Sequence, residues 1–177
     1  MRAPQPPPSP SRNRLLAALP EAERERLLPS LELVELRFGE LLIAPGDAVR
    51  HVHFPTSALI SLVSLTEEGG EVEAGVVGCE GMLGVPAVLG VGSTPMRSVV
   101  QATGQALRAH AGVIKEEFSR GGALQDVLLR YVHALIVGIA QSAACNRLHC
   151  VEARLCRWLL LCGDCVGRSR PGGHAVG

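Results

Sequence analysis

Residues 123–149 read ALQDVLLRYVHALIVGIAQSAACNRLH, and this stretch decides the architecture, because it forms one long helix with more apolar surface than a single domain face can cover. Leu124, Leu128, Tyr131, Leu135, Gly138, Ser142 and Cys145 recur at alternating steps of four and three, the spacing that keeps one seam facing a partner helix. Leu129, Val132, Ile136, Ile139 and Ala143 form a second stripe at the same steps, and only Asp126, Arg130, His133 and Gln141 make a polar line. At ~1.5 Å per residue the helix is roughly 40 Å long and needs cover on two sides. One side is expected to lie on the protomer's own domain. The seam from Leu124 to Cys145 is expected to meet a second copy, with the small Gly138 and Ser142 permitting close approach. The competing reading is a core helix of a monomeric bundle, which the preceding residues argue against.

Upstream, from Leu31 to about Ala111, the apolar period changes from helical to two. Short runs at Leu31 to Phe38, Leu41 to Ile43, Val49 to Phe54, Leu59 to Leu65, Val72 to Val77, Arg97 to Thr103 and Gln105 to Ala109 are separated by turn residues such as Pro45-Gly46-Asp47 and Glu68-Gly69-Gly70. The rhythm predicts an α+β fold: a β-roll or jelly roll of seven or eight strands, short N-terminal helices between Asn13 and Leu28, and a long C-terminal helix followed by a shorter one. Asn13 suits an N-cap, and Pro20 suits the first turn of a second short helix. A β-roll followed by a long apolar helix suits a homodimer built on that helix.

Composition narrows the function. The 177 residues carry 17 basic and 17 acidic side chains, so no global basic field recruits nucleic acid, and with 3% aromatic residues there is no platform for stacking bases. Residues 1–12 are Pro-rich with no apolar h-region and read as a disordered leader. No run of about 18 uninterrupted apolar residues occurs, so a cytoplasmic protein with no membrane association and six reduced cysteines is expected.

Taken in order, the short helices, Phe38-Gly39-Glu40, Pro45-Gly46-Asp47, His53-Phe54-Pro55, the Gly-rich insert before Arg97-Ser98 and the long helix resemble the Crp/Fnr transcription regulators over about residues 13 to 166. The segment 146–161, NRLHCVEARLCRWLLL, is similar to that family's turn out of the dimerisation helix. The resemblance implies a cyclic nucleotide-binding-like domain over 13–122, a dimerisation helix over 123–149, and the start of the family's C-terminal region over 150–166. It also implies an effector site at Gly84, Val85, Pro86, Ala87 and Val88, with Arg97 and Ser98. A helix N-terminus beside an arginine is a ready anion site. The family's ribose-binding Glu is replaced by Val85, which argues against cyclic AMP and leaves the small-molecule effector unnamed. An Arg97 without phosphate is expected to pair with Glu80 or another acid.

Other constellations are weaker. His51 and His53 share a strand face, as in metal-binding cupins, but no acid follows before Glu67, so they read as exposed strand histidines. Cys162 and Cys165 have a zinc-like or redox-like spacing without a second close pair, and Cys79 stands alone in the roll. No Gly-x-Ser-x-Gly elbow occurs. No enzyme activity, cofactor or metal is expected.

After His149 a helix from Val151 to Cys162 would present Val151, Leu155, Trp158, Leu159 and Cys162 on one face. Cys150 is a poor cap, so the two helices would run on as one. Residues 167–177 are too rich in Gly and Pro to form a helix-turn-helix and read as a disordered tail, in which Arg168 and Arg170 offer at most nonspecific phosphate contact. The expected function is the sensory and dimerisation portion of a Crp/Fnr-type regulator, truncated or frameshifted before its DNA reader and so without specific DNA binding of its own. The alternatives are a cupin-like metal-dependent enzyme and a ligand-free dimerising structural module.

Overall fold

The computed structural model describes residues 10–66 and 68–165. The expected tail, with Arg168 and Arg170, and most of the expected leader lie outside the described residues. The last residues of that leader, Pro10–Arg12, form one 3-10 turn.

Asn13 ties the N-terminus to the domain. Its Oδ1 accepts from the amides of Leu15 (3.1 Å) and Leu16 (3.3 Å) to cap α1 (Arg14–Ala17). Its Nδ2 donates to the carbonyls of Pro55 (3.0 Å) and Gly81 (2.9 Å). A fully buried amide therefore has its donors and acceptor used, as burial demands. Helix α2 (Glu21–Leu27) follows Pro20.

Among the described residues seven strands form two antiparallel sheets: β1 (Glu32–Leu36), β2 (Leu41–Ile43), β3 (His51–Pro55), β4 (Leu59–Leu65), β5 (Glu71–Val77), β6 (Arg97–Ala102) and β7 (Gly104–His110). One sheet has the order β1-β7-β3 and the other β2-β6-β4-β5. This is the expected jelly roll. Strand alternation sends Val52, Phe54, Ile60, Val100 and Leu107 into one aliphatic core with Leu16 and Leu27 of the N-terminal helices. A one-turn helix, α3 (Val85–Val88), sits between β5 and β6.

Helix α4 (Ala111–Ser119) has no counterpart in the sequence reading; its cap is His110, whose Nδ1 accepts from the Gly112 amide at 3.2 Å. Gly121 and Gly122, at φ of 77° and 91°, then turn the chain into α5 (Ala123–Leu148). The first amides of α5 have no intrahelical acceptor. Glu23 of α2 supplies one, its carboxylate accepting from Ala123 (3.0 Å) and Leu124 (2.8 Å).

The helix packs on α1, α4 and β5, and the contact face corrects the sequence reading. Leu124, Leu128, Tyr131, Ser142 and Cys145, assigned there to a partner, are buried within the protomer, and Leu135 packs half-buried against the same core. Gly138 is exposed but its Ser142 neighbour turns inward, donating to the Gly138 carbonyl at 2.9 Å. Of the second stripe, Leu129 is 48% and Ile136 61% exposed, as is Val137 beside them, whereas Val132 and Ile139 are half-buried. Both stripes have the heptad spacing, but only the first carries Tyr131, whose hydroxyl has a carbonyl to reach on the roll. By length and composition alone α5 would suffice to cross a membrane, a feature that the search for uninterrupted apolar runs missed.

The helix ends at His149, which is extended (φ −107°, ψ 151°), so α6 (Val151–Cys165) is a separate element and not a continuation. It folds back onto the roll. Trp158 Nε1 donates to Glu73 Oε1 at 2.7 Å, Arg157 reaches Ser142 Oγ, and Leu161 and Cys162 pack on Leu59 and Val76. Of the five residues expected on one face, Trp158 and Cys162 are half-buried against the roll, while Val151, Leu155 and Leu159 are exposed.

Candidate functional site

The segment from Gly78 to Pro86 is tied to its surroundings at several points. Gly78 donates to Glu80 Oε1 (3.0 Å), the Cys79 carbonyl accepts from Arg14 (2.7 Å), and Leu83 and His53 exchange backbone hydrogen bonds at 2.8 and 3.0 Å. Tyr131 of α5 donates its hydroxyl to the Met82 carbonyl at 3.1 Å. Gly84 has φ of 105°, and a Cβ there would lie 2.8 Å from Val52 Cγ1, so both conformation and space require glycine.

Gly84, Val85, Pro86 and Ser98, four of the expected effector residues, line a cavity of about 150 Å³ with Met82, Thr94 and Met96. Leu135 and Ile139 of α5 close it. The wall is aliphatic apart from Thr94 and Ser98, and Ala87 is buried in the core beside it. Leu135 and Ile139 also border a larger apolar cleft of about 610 Å³ between α5, β5 and α6.

The expected anion site is not assembled. Arg97 and Ser98 are successive strand residues and point to opposite faces, so Ser98 enters the cavity while Arg97 does not line it. Arg97 forms an ion pair with Glu71, an acid the sequence reading did not name, while Glu80 bonds the Gly78 amide. Helix α3 is a single turn opening at a left-handed glycine, too short to build a helix-terminal field.

On the other sheet, His53 is not the exposed strand histidine expected from its spacing. It is 6% exposed and stands between β7 and the Leu83 bridge, with Arg108 directly opposite on β7. Burial, and after it the Arg108 charge, pushes its pKa down to about 4. Arg108 pairs in turn with Glu32 on β1 at 2.6 Å. His51 is exposed, its ring edge-on to His110 at 5.8 Å, and its pKa is lowered mainly by desolvation. His53, Arg108, Arg50 and His51, with Glu35, Glu40 and Asp47, line a polar cavity of about 660 Å³ bounded by β1, β2, β3 and β7. The sequence reading missed this cluster because its members come from three strands and the turns between them.

Among the described residues no three His, Cys, Asp or Glu side chains gather to hold a metal ion. The Cys79 Sγ lies 4.0 Å from the Asp164 carbonyl at the end of α6. Burial raises its pKa and that of Cys162, with Glu80 and Glu73 adding in the same direction, so neither is an activated thiolate. The side chain of Cys165 lies outside the described residues.

No family model and no curated protein sequence matches the chain. Its fold does match solved structures. The regulatory subunit of a cAMP-independent protein kinase A from Trypanosoma brucei aligns with a TM-score of 0.59 and 17% identity over 68% of this chain and 43% of that one. The c-di-GMP responsive global regulator CLP from Xanthomonas campestris gives 0.63 and 13% over 80% and 71%. The N-terminal domain of a transcriptional regulator from Streptomyces coelicolor A3(2) gives 0.55 and 22% over 73% and 93%. The chain thus has the β-roll fold of these regulatory proteins and spans less than half the length of the trypanosome subunit.

Proposed function

We propose that the chain is the sensory and dimerisation portion of a Crp/Fnr-type transcriptional regulator, and that its effector is smaller and less polar than a nucleotide. The observation that carries this reading is the shared wall of the 150 Å³ cavity. The turn from Gly84 to Pro86 and Ser98 on one side face Leu135 and Ile139 of the long helix on the other. An occupant would therefore act on α5 directly, and a helix shared by two protomers passes on any shift in its position. Small-molecule sites commonly enclose about 300–1,000 Å³, whereas a cavity of this size and lining suits a molecule such as benzene.

The outward stripe with Leu129, Ile136 and Val137 is the face proposed for the second copy. Glu23 of α2 and the Tyr131–Met82 hydrogen bond anchor the first half of α5 to the domain, which favours a protein partner for this stripe over a membrane. A protein working in the cytoplasm as a regulator, without catalysis, follows from the same reading.

The test is a thermal-shift titration with benzene as the apolar probe and with cyclic AMP, cyclic GMP and cyclic di-GMP. The reading expects benzene alone to raise the melting temperature, and Ser98→Leu to abolish that effect by filling the cavity. Stabilisation by a cyclic nucleotide would show that the effector class is wrong. Silence from every compound would leave a closed core and reject sensing here.

A further inference from the structure

The polar cavity between the two sheets is remote in character from the apolar one and carries its own chemistry. Two buried atoms among its lining side chains have no protein partner: His53 Nδ1 and Arg108 Nε. Such groups are costly to bury unmatched. An arginine nitrogen can only donate, so its missing partner is an acceptor. The imidazole is neutral near pH 7, since its pKa is about 4, and so presents one donor and one acceptor nitrogen.

The rest of the lining is charged in both senses. Arg50 joins Arg108, and Glu35, Glu40 and Asp47 supply three carboxylates, above a floor that includes Leu36 and Ile43. A ligand of one charge would meet like charges on part of the wall. A neutral ligand would desolvate the ionised groups without replacing their water. A volume of about 660 Å³ falls in the range of small-molecule sites.

We propose that this cavity is a binding site for a small zwitterion of the α-amino-acid class, its carboxylate held by Arg108 and His53 and its ammonium by the carboxylates of the same wall. The site is separate from the effector cavity, so it stands or falls independently of the function proposed above. The terminal Nη2 of Arg108 stays on Glu32, which keeps the guanidinium fixed before a ligand arrives.

Calorimetric titration of the full chain with each of the twenty L-amino acids, and with acetate and methylammonium as singly charged controls, tests this. At least one amino acid should bind, and both controls at least tenfold more weakly. The Glu35→Gln/Asp47→Asn double variant, changed at exposed positions, should lose at least tenfold in affinity, as should Arg108→Gln. If Arg108→Gln does not fold, the double variant decides. In the wild type the His53 Nδ1 resonance should move on saturation. No binding by any amino acid, binding of acetate as tight as theirs, or full affinity in the double variant would each overturn the proposal.

Discussion

The hydroxyl of Tyr131 donates to the carbonyl of Met82 at 3.1 Å, joining the long helix to the loop that leads into the cavity-lining glycine turn. Tyr131 also lies against Gly81, where an added Cβ would meet its hydroxyl oxygen at 2.6 Å. The loop and helix are thus in contact with no slack between them. Tyr131→Phe should cost about 1 kcal/mol, the worth of one buried hydrogen bond, and lower the melting temperature by about 2–4 °C. Gly81→Ala should cost about 1–3 kcal/mol through overpacking. Thermal unfolding of the two variants measures both, and an unchanged melting temperature in each would mean that the loop and helix are not coupled.

The cap of α5 comes from a residue a hundred positions earlier, with Glu23 accepting from Ala123 and Leu124. Glu23→Ala should destabilise by about 1–2 kcal/mol, within the range for lost N-caps and helix-terminal charges. Hydrogen exchange should show the loss as faster exchange at the first turn of α5. Uniform protection there would contradict the assignment.

His53 gives stability a pH dependence whose sign follows from its lowered pKa. The unfolded imidazole protonates near 6.5 and the folded one only near 4. The unfolded state therefore binds the extra proton first, so the contribution is complete above pH 6.5 and is lost as pH falls towards 4. At 1.36 kcal/mol per pKa unit the change amounts to about 3 kcal/mol. Denaturant unfolding from pH 7 to 4 should show a shallower decline for His53→Gln than for the wild type, and parallel curves would refute the account.

Arg97 is where family resemblance and geometry part. Its Glu71 pair is on the surface, where such pairs contribute about 0–1 kcal/mol. Arg97→Ala should therefore leave both stability and benzene-dependent stabilisation nearly unchanged, whereas Ser98→Leu should abolish the latter. A large loss of ligand response in Arg97→Ala would restore the arginine to the site.

The strands were legible because each short apolar run is bounded by turn residues, and the Asn13 cap because its chemistry is local. The choice between the two stripes of α5 was not: both have heptad spacing, and what selects the inner one is Glu23 and Met82, distant in sequence. Helix α4 was hidden by an unusual histidine cap. The separation of α6 from α5 rests on the backbone at His149, for which the local residues carry no recognised stop signal. His53 and Arg108 are 55 positions apart and meet only through strand pairing. The resemblance located the cavity-lining segment, but strand alternation at Arg97 and Ser98 decided which of its residues enter the cavity.

Sedimentation equilibrium of the wild type beside a Leu129→Asp/Ile136→Asp variant tests the central claim, that the outward stripe of α5 meets a second copy. The account predicts a wild-type mass of twice the 18.7 kDa chain, and a folded monomer for the variant. A monomeric wild type, or a variant that remains dimeric, would contradict it.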